Sequence, residues 1–154
     1  MYDDIKNDLN ALLQEAKIIE IFRVLNLICF TFALKDKRKL FLHAECVVRI
    51  FDSDNRLVMC TKNLYRRSRS YRKKKFDYQK IGTTLFDDSL QDYQERLYET
   101  SVLNAAFRGK DLKIRFLNGM HMDVMAITTI YDDPAYCEDY RIFGEDKKET
   151  AYIV

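Results

Sequence analysis

The clearest pattern along the chain is a period-two alternation of apolar and polar residues over residues 111–128. Leu112 and Ile114 alternate with charged residues, and a second alternating run follows Asn118-Gly119. Such alternation is typical of strands with one dry face and one wet face. Asn-Gly tolerates the positive φ angles that a type I′ turn requires. The sequence therefore predicts a β-hairpin with a two-residue turn.

Other stretches predict two helices, a long loop and further strands. Apolar residues at helical spacing predict a helix over residues 3–16. Asp88-Ser89-Leu90-Gln91 has the pattern of a capping box, which predicts a second helix over residues 88–100. Residues 62–84 show no period and predict a long loop. Runs rich in β-branched and aromatic residues predict the remaining strands, at 18–33 (two strands that meet near Leu25-Asn26), 40–51, 56–61, 102–107, 138–143 and 150–154.

The order of these elements predicts the fold class. A helix followed by several strands occurs twice, and Arg49-Ile50-Phe51 in the first series matches Arg141-Ile142-Phe143 in the second. We therefore expect an α+β single domain over residues 1–154, with two helices packed on an antiparallel β-sheet built from two related α-β-β-β-β halves. The halves cover about 1–64 and 85–154, with a basic loop over 65–84 between them. A coincidental match of three residues is the competing explanation.

Composition favours a globular protein of a reducing compartment. Apolar residues make up 47% of the chain, and only 4 Gly and 1 Pro are present, so no flexible linker is expected. Asp3, Asp4 and Asp8 lie where the apolar part of a signal peptide would have to be, and no apolar run is long enough to cross a membrane. The 4 cysteines form no C-x-x-C pair and are expected to be buried. We expect a cytoplasmic protein without a membrane partner.

Charge is unevenly placed along the chain. The formal net charge is +2, yet seven of the ten residues in 66–75 are basic, so the rest carries about 2 − 7 = −5. A basic arm of this kind fits phosphate backbones, or it is a solvated loop that protects an exposed sheet edge. Acidic residues near a predicted loop over 129–137 form either a negative patch for a basic partner or ordinary solvated charges. The candidate partner-binding residues are Arg66, Arg67, Arg69, Arg72, Lys73, Lys74 and Lys75 in the arm, and Asp132, Asp133, Glu138 and Asp139 near the loop.

Catalytic motifs are sparse. The chain has no phosphate-binding loop of the G-x-x-x-x-G-K-[ST] type, and its 4 glycines are isolated. His43 and Glu45 share one face of a predicted strand, which suits a metal ligand pair or a general base. The competing explanation is a histidine on a sheet face that makes one hydrogen bond. We expect no enzyme activity, no metal and no cofactor.

Several motifs together resemble a known group of proteins. They include Leu85-Phe86-Asp87, the D-L-x-I-x-F-x-N-G pattern that begins at Asp111, and Glu-Asp-Tyr-Arg-Ile-Phe from Glu138 to Phe143. With Arg23-Val24-Leu25-Asn26-Leu27 and Leu42-His43-Ala44-Glu45-Cys46, this order is similar to that of small uncharacterised proteins of Gram-positive bacteria. Genes for that group often lie beside genes for polymorphic or secreted toxins. The chain departs from the group in having Tyr140 in place of Trp and in lacking an acidic S-x-D element after the fourth strand.

The resemblance implies an immunity-type function. We expect a non-catalytic cytoplasmic protein that neutralises a cognate toxin by direct protein–protein binding. The contact would be made through either the acidic loop over 132–139 or the basic arm over 66–75. The alternative is a nucleic-acid-binding accessory protein that uses the arm over 66–75. A third hypothesis is a hydrolase that uses His43 and Glu45. Open sheet edges would also allow a homodimer.

Overall fold

The computed structural model describes residues 2–72, 75–129, 132, 138–145 and 152–154. Most of the predicted loop over 129–137, and with it Asp133, lies outside the described residues, as do Lys73 and Lys74. In chain order the described elements are α1 (Tyr2–Leu13), β1 (Lys17–Val24), β2 (Leu27–Ala33), β3 (Lys39–Ala44), β4 (Val47–Phe51), β5 (Leu57–Cys60), a 3₁₀ helix (Thr61–Tyr65), α2 (Leu85–Tyr98), β6 (Val102–Arg108), β7 (Asp111–Phe116), β8 (His121–Met125), β9 (Tyr140–Gly144) and β10 (Tyr152–Ile153).

The structure confirms the predicted α+β class with two helices and antiparallel strand pairing, but the strands form two sheets instead of one. The first sheet has the order β1-β2-β3-β9-β10, and the second has the order β6-β7-β8-β4-β5. Each sheet therefore takes three consecutive strands from one part of the chain and two from the other. Because each sheet crosses the boundary between the predicted halves, neither half forms a sheet of its own.

The single strand predicted over residues 40–51 is wrong, because the chain changes sheets in its middle. β3 lies in the first sheet and β4 in the second, and Glu45-Cys46 forms the corner. The backbone N–H groups of Glu45 and Cys46 both donate to the carbonyl of Asp139, at 2.9 and 3.1 Å. The alternation of apolar residues continues through this corner because both sheets turn their apolar faces toward the same core. Pattern alone therefore gives no sign of the break.

One hydrophobic core joins the two sheets and both helices. Phe30 in β2 and Ile114 in β7 are each 0% exposed and lie on the inner faces of the first and second sheet. α1 packs on β6 of the second sheet, and α2 packs on β1 of the first. Burying one large aliphatic or aromatic side chain contributes about 1.5–3 kcal/mol, so this shared core holds the two sheets together. Neither described helix has the length and apolar character that crossing a membrane requires.

The hairpin of β7 and β8 is present as predicted, but its turn differs. Gly119 has a φ of 88°, whereas Asn118 is not among the residues with positive φ. A two-residue type I′ turn needs positive φ at both positions. The connection is instead a three-residue loop, in which the Gly119 N–H donates to the Phe116 carbonyl at 3.1 Å. Asn118 contributes through its side chain, which accepts the Met120 N–H at 3.1 Å.

Helix α2 begins three residues before its predicted start. Thr84 is the N-cap, and its hydroxyl accepts the Asp87 N–H at 3.1 Å while the Asp87 carboxylate accepts the Thr84 N–H at 3.0 Å. This Thr-x-x-Asp capping box replaces the one predicted from Asp88 to Gln91. Asp88 instead accepts the Ser68 hydroxyl at 2.6 Å and so ties the basic arm to the helix.

The long loop over 62–84 is anchored from inside by one arginine. Arg23 in β1 is only 2% exposed, and its guanidinium makes two bonds of 2.7 and 2.8 Å to the Asp87 carboxylate. The same group donates to the carbonyls of Tyr78 and Lys80, at 2.9 and 2.8 Å. A buried guanidinium requires that its charge and its donors be matched. Arg23 therefore fixes the end of this loop and the start of α2 together.

β1 and β6, each at one edge of its sheet, depart from regular strand pairing in the same way. Each carries a β-bulge, between Ile18 and Glu20 in β1 and between Val102 and Asn104 in β6. Beyond each bulge a helix side chain accepts a backbone N–H group. The Tyr98 hydroxyl accepts from Ile21 at 3.0 Å, and the Asn10 side chain accepts from Ala105 at 3.0 Å. Bulges and engaged donors make both strands poor templates for edge-to-edge pairing.

Candidate binding surface

The basic arm is a partly paired surface segment and not a free chain. Its backbone is tied to the start of α2, since the Ser68 N–H donates to the Thr83 carbonyl at 2.8 Å. Arg69 pairs with Asp88 and with Asp92, its closest contact being 2.9 Å to Asp92, so its charge is balanced by the helix. Because Arg69 is compensated, fewer charges are available to an outside partner than the sequence predicts. The exposed basic residues among those described in the arm are Arg66, Arg67, Arg69, Arg72 and Lys75, and of these Arg69 is paired with α2.

The acidic candidates separate into different roles. Asp139 is 2% exposed, and its carboxylate accepts the Ile127 N–H at 2.8 Å and the Thr128 hydroxyl. This geometry contradicts its expected place in a surface patch, because the carboxylate is used to hold the chain that leaves β8. Glu138, two residues before β9, pairs with Arg141 at 2.5 and 2.8 Å. Asp132 is exposed.

His43 lies on the outer face of the first sheet, between Cys29 and Arg141 in register. Its ring makes an edge contact with Phe143 at 4.9 Å. No group of three or more His, Cys, Asp or Glu side chains among the described residues is arranged to hold a metal ion. The outer face around His43 is aromatic, because Phe41 stacks on Phe143 with ring centres 5.2 Å apart. We call the outer surface formed by Phe22, Phe41, His43 and Phe143 the aromatic face.

The outer surface of the second sheet has a different character. β4, β8 and β7 lie side by side, with Arg49 opposite Asp123 and Asp123 opposite Lys113. In the next row Phe51 lies opposite His121, and His121 lies opposite Arg115. The hairpin end of β6 adds a further arginine, which pairs in register with Asp111. We call this surface the cationic face; its basic members are Arg49, Arg108, Lys113 and Arg115.

The cations of this face outnumber its acids. Asp123 serves two of them, since Arg49 Nη2 lies 3.0 Å and Lys113 Nζ lies 3.6 Å from its oxygens. Burial and the neighbouring Lys113 lower the pKa of His121 below its ordinary value, and Arg115 and Arg49 act in the same direction. Asp123 opposes this shift without cancelling it. Burial is the largest cause of this shift, and three of the four neighbouring charges that contribute to it are positive.

Two of the described cysteines, Cys29 and Cys46, are buried. Burial raises the pKa of Cys29 to about 11 and of Cys46 to about 12, which keeps both as thiols near neutral pH. This agrees with the expectation that cysteines serve as small core residues. Cys60 is half-buried at the end of β5, beside Arg49 in register.

Sequence reasoning missed the cationic face as a unit, although part of its signal was present. Lys113 and Arg115 occupy the wet positions of the alternating hairpin, and His121 and Asp123 occupy those of the returning strand. Their association with Arg49 depends on the pairing of β4 with β8, which joins distant parts of the chain. No local pattern predicts that pairing, so the strongest run of charge in the sequence drew attention to the arm instead.

Comparison with known proteins gives no match: no protein-family model, no curated protein and no solved structure is similar to this chain. The resemblance to toxin-associated proteins stays a prediction. The fold and its surfaces define an α+β protein of two antiparallel sheets that share one core, with a charged outer surface on one sheet and an aromatic outer surface on the other.

Proposed function

We propose that this chain is a non-catalytic binding protein of immunity type, which acts in the cytoplasm and neutralises a cognate bacterial toxin by direct protein–protein binding. The observation that carries the proposal is the cationic face, where Arg49 and Lys113 share one carboxylate on a rigid sheet. Surface charges of this kind add little to stability. They do supply specificity and faster association with a complementary partner. The motifs shared with toxin-associated proteins support the same proposal.

The proposal is tested by recovering the partner and then measuring protection. The tagged protein is used to capture its partner from the native host, with nuclease treatment and a salt series. We expect a single protein in stoichiometric amount that survives nuclease and moderate salt. The purified pair is then examined in a growth assay, in which co-expression of this chain should abolish the toxicity of the captured protein. A captured protein that is not toxic, or that stays toxic in the presence of this chain, would contradict the proposal.

A second candidate function, a nucleic-acid-binding accessory protein, is favoured by the arm over 66–75. Arg66, Arg67 and Arg72 are exposed there, while the backbone of the arm is anchored at Thr83. Binding through such an arm would weaken steeply with salt, with a slope of log K against log salt of about −0.7 per phosphate contact for single strands. A binding assay with a labelled oligonucleotide over a salt series measures this slope. Elution of nucleic acid without a protein partner in the capture experiment would favour this candidate.

We also infer that the halves over about 1–64 and 85–154 derive from one ancestral unit. The strand orders β1-β2-β3-β9-β10 and β6-β7-β8-β4-β5 correspond position by position, and both leading strands carry a bulge at the same place in their pairing. The matching Arg-Ile-Phe triplets lie in β4 and β9, which hold corresponding positions in the two orders. An experimental structure in which β1–β3 with α1 does not superpose on β6–β8 with α2 would overturn this inference.

A further inference from the structure

The cationic face contains a cavity to which the proposed function assigns no role. It has a volume of about 260 Å³ and is lined by Arg49, Arg108 and Lys113 together with Asp111 and Asp123. Three cations therefore meet two carboxylates around one concave site. One of those carboxylates is already engaged with the backbone, since Asp111 accepts the Ala126 N–H at 2.9 Å. The cavity has more positive charge than it needs for its own neutrality.

Arg49 keeps one unsatisfied donor beside this cavity. Its Nη2 donates to Asp123 at 3.0 Å, but its Nε is buried and has no hydrogen-bond partner among the described residues. The guanidinium lies over the ring of Phe51, 5.3 Å from its centre, which fixes its plane. A buried N–H without an acceptor is costly, so the neighbours of Arg49 satisfy its guanidinium only in part. Together with the excess positive charge of the cavity, this points to an oxyanion ligand.

The first sheet shows that this charge excess is not a requirement of the fold. Arg141 corresponds to Arg49 in the strand order, and it is balanced by Glu138, two residues before β9, at 2.5 and 2.8 Å. The Glu138 hydrogen bond raises the pKa of Arg141, and Glu45 acts in the same direction. An arginine at this position can therefore be neutralised locally. On the second sheet Arg49 must share the carboxylate of Asp123 with Lys113.

The mixed signs of charge on the cationic face favour a protein over a nucleic acid. Asp111 and Asp123 lie among the cations, where they would repel a continuous phosphate backbone. The rings of Phe51 and His121 stack on each other, 4.5 Å apart and 9° from parallel, so each has one face occupied by the other instead of by a base. A protein surface can meet cations with carboxylates and meet Asp111 or Asp123 with donors.

We propose that the cationic face binds an acidic protein surface, and that an aspartate or glutamate side chain of the partner enters the cavity between Arg49, Arg108 and Lys113. Bidentate pairing of arginine with carboxylate gives this contact its geometry. Arginine in a partly enclosed pocket is a common centre of binding energy at protein interfaces. Describing the partner as a toxin rests on the proposed function, whereas the acidic character of the partner does not.

The test uses a short synthetic peptide of alternating glutamate and serine, titrated into the isotopically labelled protein and followed by NMR. We expect amide shifts at Arg49, Lys113 and His121, and a rise in the pKa of His121 when the peptide is bound. The double variant Arg49→Gln/Lys113→Gln should bind the peptide at least roughly tenfold more weakly. The charge-matched control Lys35→Gln/Arg38→Gln, which removes two exposed cations from the β2–β3 turn, should bind as the wild type does.

Several outcomes would overturn this inference. They are no amide shifts, shifts confined to the arm over 66–75, or equal weakening in the control variant. Tighter binding of oligothymidylate than of the peptide at the same amides would also overturn it, in favour of nucleic acid. The peptide assay needs no toxin, so it fails independently of the proposed function. Expected peptide binding without toxin neutralisation would uphold the acidic partner and reject the immunity role.

Discussion

The two sheets of this protein share a framework and differ on their outer surfaces. The first strand in the order of each sheet carries a bulge, and a helix side chain accepts one of its backbone N–H groups. The fourth strand in each order contains an Arg-Ile-Phe triplet. Their inner faces are largely apolar and meet in one core, with Arg23 as a buried charged exception in β1. Outside, the first sheet presents the aromatic face and the second presents the cationic face. The framework therefore constrains the inner residues, while the outer residues are free to serve another purpose.

The corresponding arginines make this difference concrete. The charge of Arg141 is balanced by Glu138, whereas Arg49 shares the single carboxylate of Asp123 with Lys113. Stability does not require the second arrangement, because two cations that share one partly buried carboxylate leave a net positive charge. A surface that keeps uncompensated charge on rigid strands is better explained by recognition of a charged partner.

The largest effects are expected where the two sheets are alike. Phe30→Ala in the first sheet and Ile114→Ala in the second each remove a side chain that is 0% exposed. We expect losses in the free energy of unfolding of about 3–5 kcal/mol for Phe30→Ala and about 2–5 kcal/mol for Ile114→Ala. Denaturant unfolding followed by circular dichroism measures both. A small loss in only one variant would show that the sheets do not share one cooperative core.

The next effect concerns the places where β1 and β6 differ. β1 carries Arg23 where β6 carries Phe107, since these two residues pair with Ile28 and Leu112. We expect Arg23→Met to cost about 3–5 kcal/mol, because it leaves Asp87 without its buried partner. Arg38→Gln, which breaks an exposed pair with Asp36, is the matched control and should leave the unfolding midpoint unchanged. Equal effects of the two variants would show that Arg23 is not a central anchor.

A smaller effect is expected at the two protected edges. Tyr98→Phe removes the acceptor of the Ile21 N–H, and Asn10→Ala removes that of the Ala105 N–H. Each should cost about 1 kcal/mol, because one hydrogen bond is lost beside a bulge. Hydrogen exchange at the amides of Ile21 and Ala105 separates the two, since each variant should raise exchange at its own edge only. Faster exchange at both edges in either variant would contradict this separation.

The smallest effect is a change in titration on the cationic face. Burial and Lys113 hold the pKa of His121 below 6.5, so the folded state resists protonation and loses a little stability as the pH falls below 6.5. In the variant Lys113→Gln/Arg115→Gln the pKa of His121 should rise toward 6.5 while the unfolding midpoint changes little. NMR titration of the His121 ring protons measures it. An unchanged pKa would show that the surrounding cations do not set the potential there.

Local patterns predicted the strands of the β7–β8 hairpin, where neighbours in sequence are neighbours in space. The alternation of Leu112, Ile114 and Phe116 predicted β7, and the hairpin with β8 followed from the adjacent turn. The corner at Glu45-Cys46 left no pattern, because both sheets bury the same side of the alternation. Because the chain passes from the first sheet to the second at that corner, the strands form two sheets and not the single predicted sheet.

The two capping patterns show a different kind of error. Asp88 and Gln91 match a capping box in sequence, but Thr84 and Asp87 form the real one. Both patterns fit the local rule. What distinguishes them is Arg23, a buried residue of β1 that is distant in sequence and whose guanidinium binds the Asp87 carboxylate. Burial alone would raise the pKa of Asp87, but the bonds from Arg23 and Thr84 outweigh it and hold that pKa below its usual value.

The candidate surface was least predictable because it is assembled from three separated segments. Arg49 and Lys113 are ordinary wet-face residues in their own strands, and only the pairing of β4 with β8 brings them together. The arm over 66–75 is conspicuous in sequence, yet Arg69 is paired with the helix beside it. A dense run of charge marks a surface, but it does not show how much of that charge is already compensated.

The crossing of strands between the sheets also sets an order of events during synthesis. β3 pairs on one side with β2, which precedes it directly, and on the other with β9, which leaves the ribosome only after residues 45–139 have been made. Until then β3 is an exposed edge, and the first sheet cannot close over the core. Distant pairing of this kind slows folding. The nascent chain should therefore depend on ribosome-associated chaperones until its last strands emerge.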